Sequence, residues 1–112
     1  MSRRRLVTAV AGVVTAPVER VWPLLRRQVP AKEVGEHFLA YQGGWWYRGE
    51  WTVTAHPEGT RVDHRVYCVA GPFWAVALAN RLFIGFGART RRAFGDGLAA
   101  IAHQTGGSAR LT

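Results

Sequence analysis

Whatever chemistry this chain performs rests on its histidines and on one run of aromatics. The stretch Gly43–Val53, GGWWYRGEWTV, holds three of the five tryptophans within seven residues, next to Tyr47. His64 follows in a second alternating stretch, TRVDHRVYCVA. An imidazole titrates near neutrality, so His64 suits general acid–base work or the orientation of a ligand oxygen. Tyr47 offers a second hydrogen-bonding group, and Tyr41 another from the preceding segment. Metal chemistry fits poorly. His37, His56, His64 and His103 show no i,i+4 pairing and no cysteine cluster, and His56 falls in a turn. No Gly-rich phosphate loop and no G-x-S-x-G elbow is present. Cys68 is the only cysteine and reads as a small inward-facing hydrophobe. No cofactor is expected.

These groups need elements to position them. Strand periodicity divides the aromatic run, with Trp45, Tyr47, Gly49, Trp51, Val53 and Ala55 on one face. Trp46, Arg48, Glu50, Thr52 and Thr54 fall on the other. HPEG supplies a turn, and the next strand alternates again, Val62, His64, Val66 and Cys68 against Arg61, Asp63, Arg65 and Tyr67. If Ala55 faces Thr60, then Val53 meets Val62, Trp51 meets His64 and Tyr47 meets Cys68. Glu50 then meets Arg65 as a solvated pair, and Thr52 meets Asp63. Both faces are chemically sensible in this register, and a slip of one residue would turn the apolar face to water.

Upstream, residues 5–14 alternate as a first strand, with Val7, Ala9, Ala11 and Val13 on one face. TAPVERVWPLLRR then reads as a short amphipathic helix, Thr15 capping it, Pro17 in its first turn and Pro23 bringing a kink or an early change of direction. QVPAKEVGEH reads as a turn or short second helix, and residues 37–42 as a further strand. After AGP a long helical segment runs from about Phe73 to His103. Its stripe is Asn80, Ile84, Gly87, Thr90 or Arg91, Phe94, Leu98 and Ile101, with Arg81, Arg89, Arg92 and Asp96 opposite. Gly85, Gly87, Gly95 and Gly97 each weaken that helix by about 1 kcal/mol relative to Ala. Close approach to a sheet, or space left for a ligand, would explain them; a break near Gly85–Gly87 is the plain alternative.

At 112 residues the chain is read as one domain, 1–112, burying roughly 65% of its unfolded surface. Its formal net charge is +8, carried almost wholly by arginine, with Lys32 the one lysine. That balance favours polyanions, acidic partners or a membrane surface. Arg48, Arg61 and Arg65 share a face with Trp46 and Tyr67, but Glu50 and Asp63 interleave with them, which weakens a nucleic-acid or anionic-membrane reading. The start MSRRRLVTAVAGVVTAP imitates a secretory or twin-arginine signal; it is read instead as the first strand, and a reducing, cytoplasmic location is expected. The best apolar run, GPFWAVALANRLFIGFGA, is interrupted by Asn80 and Arg81 and falls short of the roughly 20 residues a membrane span needs.

The order strand, helix opening APVERVW, antiparallel strands and long C-terminal helix resembles the START-like superfamily and its helix-grip fold. VVTAPVERVWPLL is similar to that family's V-x-A-P-x-E-x-V-W segment, here Val14, Ala16, Pro17, Glu19, Val21 and Trp22. GPFWAVALANRLFIGFGARTRRAFGDGLAAI is similar to its basic-faced final helix. The resemblance implies an α+β fold in which a small antiparallel sheet grips the last helix, with a short helix after strand 1. Only about four strands are expected, fewer than the family's six or seven; either the cavity is then shallow and open, or a second chain completes it as a homodimer across the exposed edge.

It further implies binding of an apolar or aromatic small molecule, polyketide- or lipid-like, between sheet and helix. Cyclase or dehydratase activity would rest on His64 and Tyr47. Tyr41, Trp45, Gly49, Trp51, Val53, Val66, Gly87, Phe94 and Leu98 would line the site. The same inner residues would otherwise be plain core. A non-catalytic dimeric protein, whose arginine-rich surface binds an acidic partner, nucleic acid or membrane, is the alternative function.

Overall fold

The computed structural model of the protein describes residues 5–43, 47–68 and 86–112. Trp45, Trp46, the segment 73–85 expected as helix, and the side chain of Cys68 lie outside the described residues. The fold is α+β. Among the described residues a six-stranded antiparallel sheet carries two helices, one of them C-terminal. In chain order the elements are β1 (Arg5–Val14), α1 (Val18–Gln28), β2 (Glu33–Gly35), β3 (Phe38–Gly43), β4 (Tyr47–His56), β5 (Gly59–Cys68), α2 (Phe86–Thr105) and β6 (Ala109–Leu111). The strands lie in the order β2-β3-β4-β5-β1-β6.

The hairpin β4–β5 carries the expected register: Ala55 opposes Thr60, Val53 opposes Val62, Trp51 opposes His64 and Tyr47 opposes Cys68. Its turn depends on Gly59, at φ +144°, where a side chain would strike the carbonyl oxygen of Val14. β1 closes on β5, placing Val10 opposite His64 and Val14 opposite Thr60. The pairing slips between Leu6 and Thr8, so a bulge at Val7 resets the alternation. The inward set in β1 is therefore Thr8, Val10, Gly12 and Val14, and Val13 on the opposite face is buried as well.

Four expectations need correcting. The sheet has six strands, not about four. β2 and β6, each three residues long, are too short for periodicity to register, and they take their hydrogen bonds from β3 and β1. Residues of QVPAKEVGEH form no second helix but a link into β2 and its turn, where His37 adopts φ +55° against the edge of Trp22. Pro23 does not end the first helix, which continues to Gln28 around the buried Val21 and Leu25. Nor does Thr15 cap it. Pro17 stands at the cap, while the Thr15 hydroxyl accepts the Ser108 N–H at 2.7 Å and joins the end of β1 to the entry of β6.

α2 presents Phe94, Leu98, Ile101 and Ala102 to the sheet and leaves Arg89, Arg91, Arg92 and Asp96 exposed. It ends at Gly106, φ +75°, with Gly107 N–H donating to Ala102 C=O, the 6→1 bond of a Schellman cap. That reversal sends β6 back along β1. The core lies between the inner sheet face and both helices and is built from Val10, Val14, Val21, Leu25, Leu39, Val53, Val62, Phe94, Leu98 and Ile101. The helical glycines mark close approaches: Gly87 to Thr8, Gly95 to Leu111 and Gly97 to the Gln28 side chain. Among the described residues no helix is long and apolar enough to cross a membrane.

Candidate functional site

His64 sits in the middle of β5 and faces inward, 5% exposed. Register places the Trp51 indole beside it, and the two rings stack with centroids 4.2 Å apart and planes 16° apart. Phe94 of α2 lies near-parallel to the imidazole at 5.8 Å and 13°. The imidazole is thus packed against an indole from the sheet and a phenyl ring from the helix. Nδ1 lies 3.0 Å from the Glu50 carbonyl oxygen. Because a carbonyl only accepts, Nδ1 carries the proton and Nε2 presents a bare lone pair. Burial lowers the His64 pKa, and the bond to Glu50 opposes that shift in part. The ring is accordingly neutral at physiological pH.

A cavity of about 320 Å³ opens beside this stack. The sheet contributes Tyr47, Trp51 and His64, α1 contributes Leu25, Gln28 and Val29, and α2 contributes Thr90, Ala93, Phe94, Gly97 and Leu98. Gln28 and Ala93 are exposed and mark the mouth. The Gln28 amide nitrogen donates to the Gly97 carbonyl at 2.9 Å, which bridges α1 to α2 across that mouth. Tyr47 is half-buried, and its phenol is held above the usual range by burial and by Tyr41, whose ring centre is 6.1 Å away.

No family model, curated protein or solved structure matches the chain. The site is therefore read from its own geometry. Of the residues expected to serve it, His64, Tyr47, Trp51, Phe94 and Leu98 come together around the cavity. Val53 and Val66 share the inner face but are closed into core, 3% and 0% exposed. Tyr41 stands one strand out, against Tyr47 and under Lys32. Gly87 is exposed beside Thr8, away from the cavity. Gly49 makes room within the protein and not for a ligand: a Cβ there would stand 2.7 Å from the Tyr47 hydroxyl and 3.0 Å from the Trp51 ring. Trp45 lies outside the described residues.

Sequence reasoning missed the whole α1 wall. Leu25 fell within the expected amphipathic helix, but Gln28 and Val29 fell in the segment read as a turn or short second helix. Among the described residues no three His, Cys, Asp or Glu side chains gather as a metal site.

The outer face differs from expectation in its ion pairs. Glu50 and Arg65 are register partners, but the Glu50 carboxylate accepts Arg48 Nε at 2.8 Å, and Arg48 also bonds Glu33 of β2. Arg48 is buried beneath this pairing, and both carboxylates hold its guanidinium pKa above the ordinary value. An arginine expected to belong to a basic surface patch is instead a clamp between the edge strand and the sheet.

Proposed function

We propose that the protein is a small-molecule binding domain that takes an apolar or aromatic ligand into the cavity between the sheet and the two helices. The observation that carries this reading is the Trp51–His64–Phe94 stack, which presents one buried polar nitrogen at the wall of an otherwise largely apolar cavity. A few placed polar groups in an apolar concavity of at least roughly 300 Å³ is the usual composition of such sites. The architecture is read as a helix grip of the START-like kind. The supporting features are the helix after β1, the long C-terminal helix laid over the sheet, and the closure of β1 on β5. Where the bound molecule is also turned over, as in polyketide cyclisation or dehydration, His64 Nε2 is the base within reach. Tyr47 is the second proton-bearing group.

The test is a titration of polycyclic aromatic and lipid-like compounds, read by tryptophan fluorescence and thermal stability. Saturable quenching that disappears in Trp51→Ala is expected. Absence of quenching and of stabilisation with every compound would remove the reading.

One observation favours the competing interaction protein. On the outer face, Arg61, Arg65 and Arg91 line a depression together with Ala9, Ala11 and Asp63, which pairs with Arg61. Arg65 and Arg91 form no ion pair among the described residues. An acidic partner fits that surface, and its binding would weaken steeply with salt.

A further inference from the structure

We infer that the cavity selects neutral aromatic molecules that donate a hydrogen bond, phenols or enols, over ethers and carboxylates of the same shape. This rests on the cavity being a binding site, as proposed above. His64 Nδ1 is committed to the Glu50 carbonyl, so Nε2 can only accept. Among the described residues Nε2 has no partner, yet no fully buried side-chain nitrogen or oxygen is left unsatisfied, so Nε2 opens to the cavity that His64 lines. The two rings packed against it fix the imidazole plane, and with it the line along which a donor must approach.

Gln28 adds a second acceptor. One N–H of its amide donates to the Gly97 carbonyl, which leaves Oε1 as an acceptor and the second N–H as a donor, with no further partner among the described residues. Thr90 and Tyr47 also line the cavity, each with a hydroxyl that can donate or accept. Among the described residues no Asp, Glu, Lys or Arg lines the cavity. A carboxylate would meet no counter-charge from these residues and would face the Nε2 lone pair, at the desolvation cost of its charge. An ether would fit by shape but leave Nε2 unbonded. A phenol or enol satisfies Nε2 and stacks its ring on the apolar walls.

The experiment uses the full chain at neutral pH and isothermal titration with four probes: naphthalene, 2-methoxynaphthalene, 2-naphthol and 2-naphthoate. One net hydrogen bond corresponds to about a tenfold preference for 2-naphthol over 2-methoxynaphthalene, with 2-naphthoate weakest. In His64→Phe the stacked ring is kept and the nitrogen removed. 2-Methoxynaphthalene should still bind, and the preference for 2-naphthol should fall to about twofold or less. Equal binding of 2-naphthol and 2-methoxynaphthalene to the unaltered chain overturns the inference but leaves the cavity as a binding site. Tightest binding of 2-naphthoate overturns it in favour of an anion site. Binding of none of the four removes the binding reading itself. These comparisons on the unaltered chain decide the matter even if the variant does not fold.

Discussion

The imidazole of His64 stacks on the indole of Trp51 with 4.2 Å between ring centres, and the two residues are direct partners across β4 and β5. The contact is therefore set by strand register and not by a flexible loop. Rotamer freedom at both residues is spent by packing, which is the condition for a polar nitrogen to be aimed reproducibly into a cavity. The same arrangement makes the site and the core hard to separate energetically, and the first two predictions address that coupling.

Trp51→Ala removes one ring of the stack and a wall of the cavity. The residue is half-buried, so a loss of about 2–4 kcal/mol is expected, towards the lower part of the range for deleting a large aromatic. Trp51→Phe retains a stacked ring and should recover at least half of that loss. Urea unfolding followed by circular dichroism measures both without relying on the deleted fluorophore.

The depressed pKa of His64 makes stability depend on pH. The unfolded chain binds a proton at this histidine near the ordinary value of 6.5, while the folded chain resists protonation. Below that value the unfolded state holds more protons, so stability falls as pH falls, by up to about 1.4 kcal/mol per pH unit, until the folded pKa is reached. At higher pH both states are neutral and this contribution is flat. His64→Phe should remove the His64 share of the slope between the two pKa values. Denaturation midpoints from pH 4 to pH 8 on both proteins provide the check, and identical slopes would contradict it.

Arg48 and Glu33 form one ion pair but should respond very differently to truncation. The Arg48 side chain is 9% exposed and its loss leaves Glu50, 15% exposed, without this partner; Glu33 is 57% exposed. Arg48→Ala is expected to cost about 2–4 kcal/mol, as removal of one partner from a buried pair does. Glu33→Ala should cost no more than about 1 kcal/mol. Equal costs would mean that Arg48 is held by Glu33 and not by burial against the sheet.

Gly12 is the point at which α2 sits down on β1. A Cβ there would run into Leu98 Cδ1 and come within 2.8 Å of the Arg110 carbonyl oxygen. Gly12→Ala should therefore destabilise by about 1–3 kcal/mol through overpacking. The penalty should shrink in a Leu98→Ala background, where one of the two obstacles is gone. Thermal unfolding of the four proteins of this cycle measures the coupling.

Much of the framework was legible residue by residue. The alternation of Tyr47–His56 and Gly59–Cys68, bracketed by a HPEG turn, was enough to set their pairing, because only one register buries the apolar face on both strands at once. The stripe Phe94, Leu98 and Ile101 likewise identified the buried side of α2, since helical spacing alone brings those positions together. Local pattern therefore assigned His64 to the same face as Trp51. It could not show that Phe94 would pack against the imidazole, because that contact joins residues 30 apart in sequence.

What tertiary structure decided is whatever depends on a partner distant in the chain. β2 and β6 exist because β3 and β1 offer them hydrogen bonds, although three residues carry no period of their own. α1 runs on past Pro23 because Val21 and Leu25 are buried in the core, outweighing the local cost of a proline inside a helix. Arg48 reads as a solvated cation in sequence and becomes a buried clamp once Glu33 and Glu50 converge on it. The distinction between core and cavity on the inner face was decided in the same way. Val53 and Val66 are sealed by their neighbours, whereas Trp51 and His64 meet open space because α1, placed by its own packing, brings Leu25, Gln28 and Val29 to the far wall.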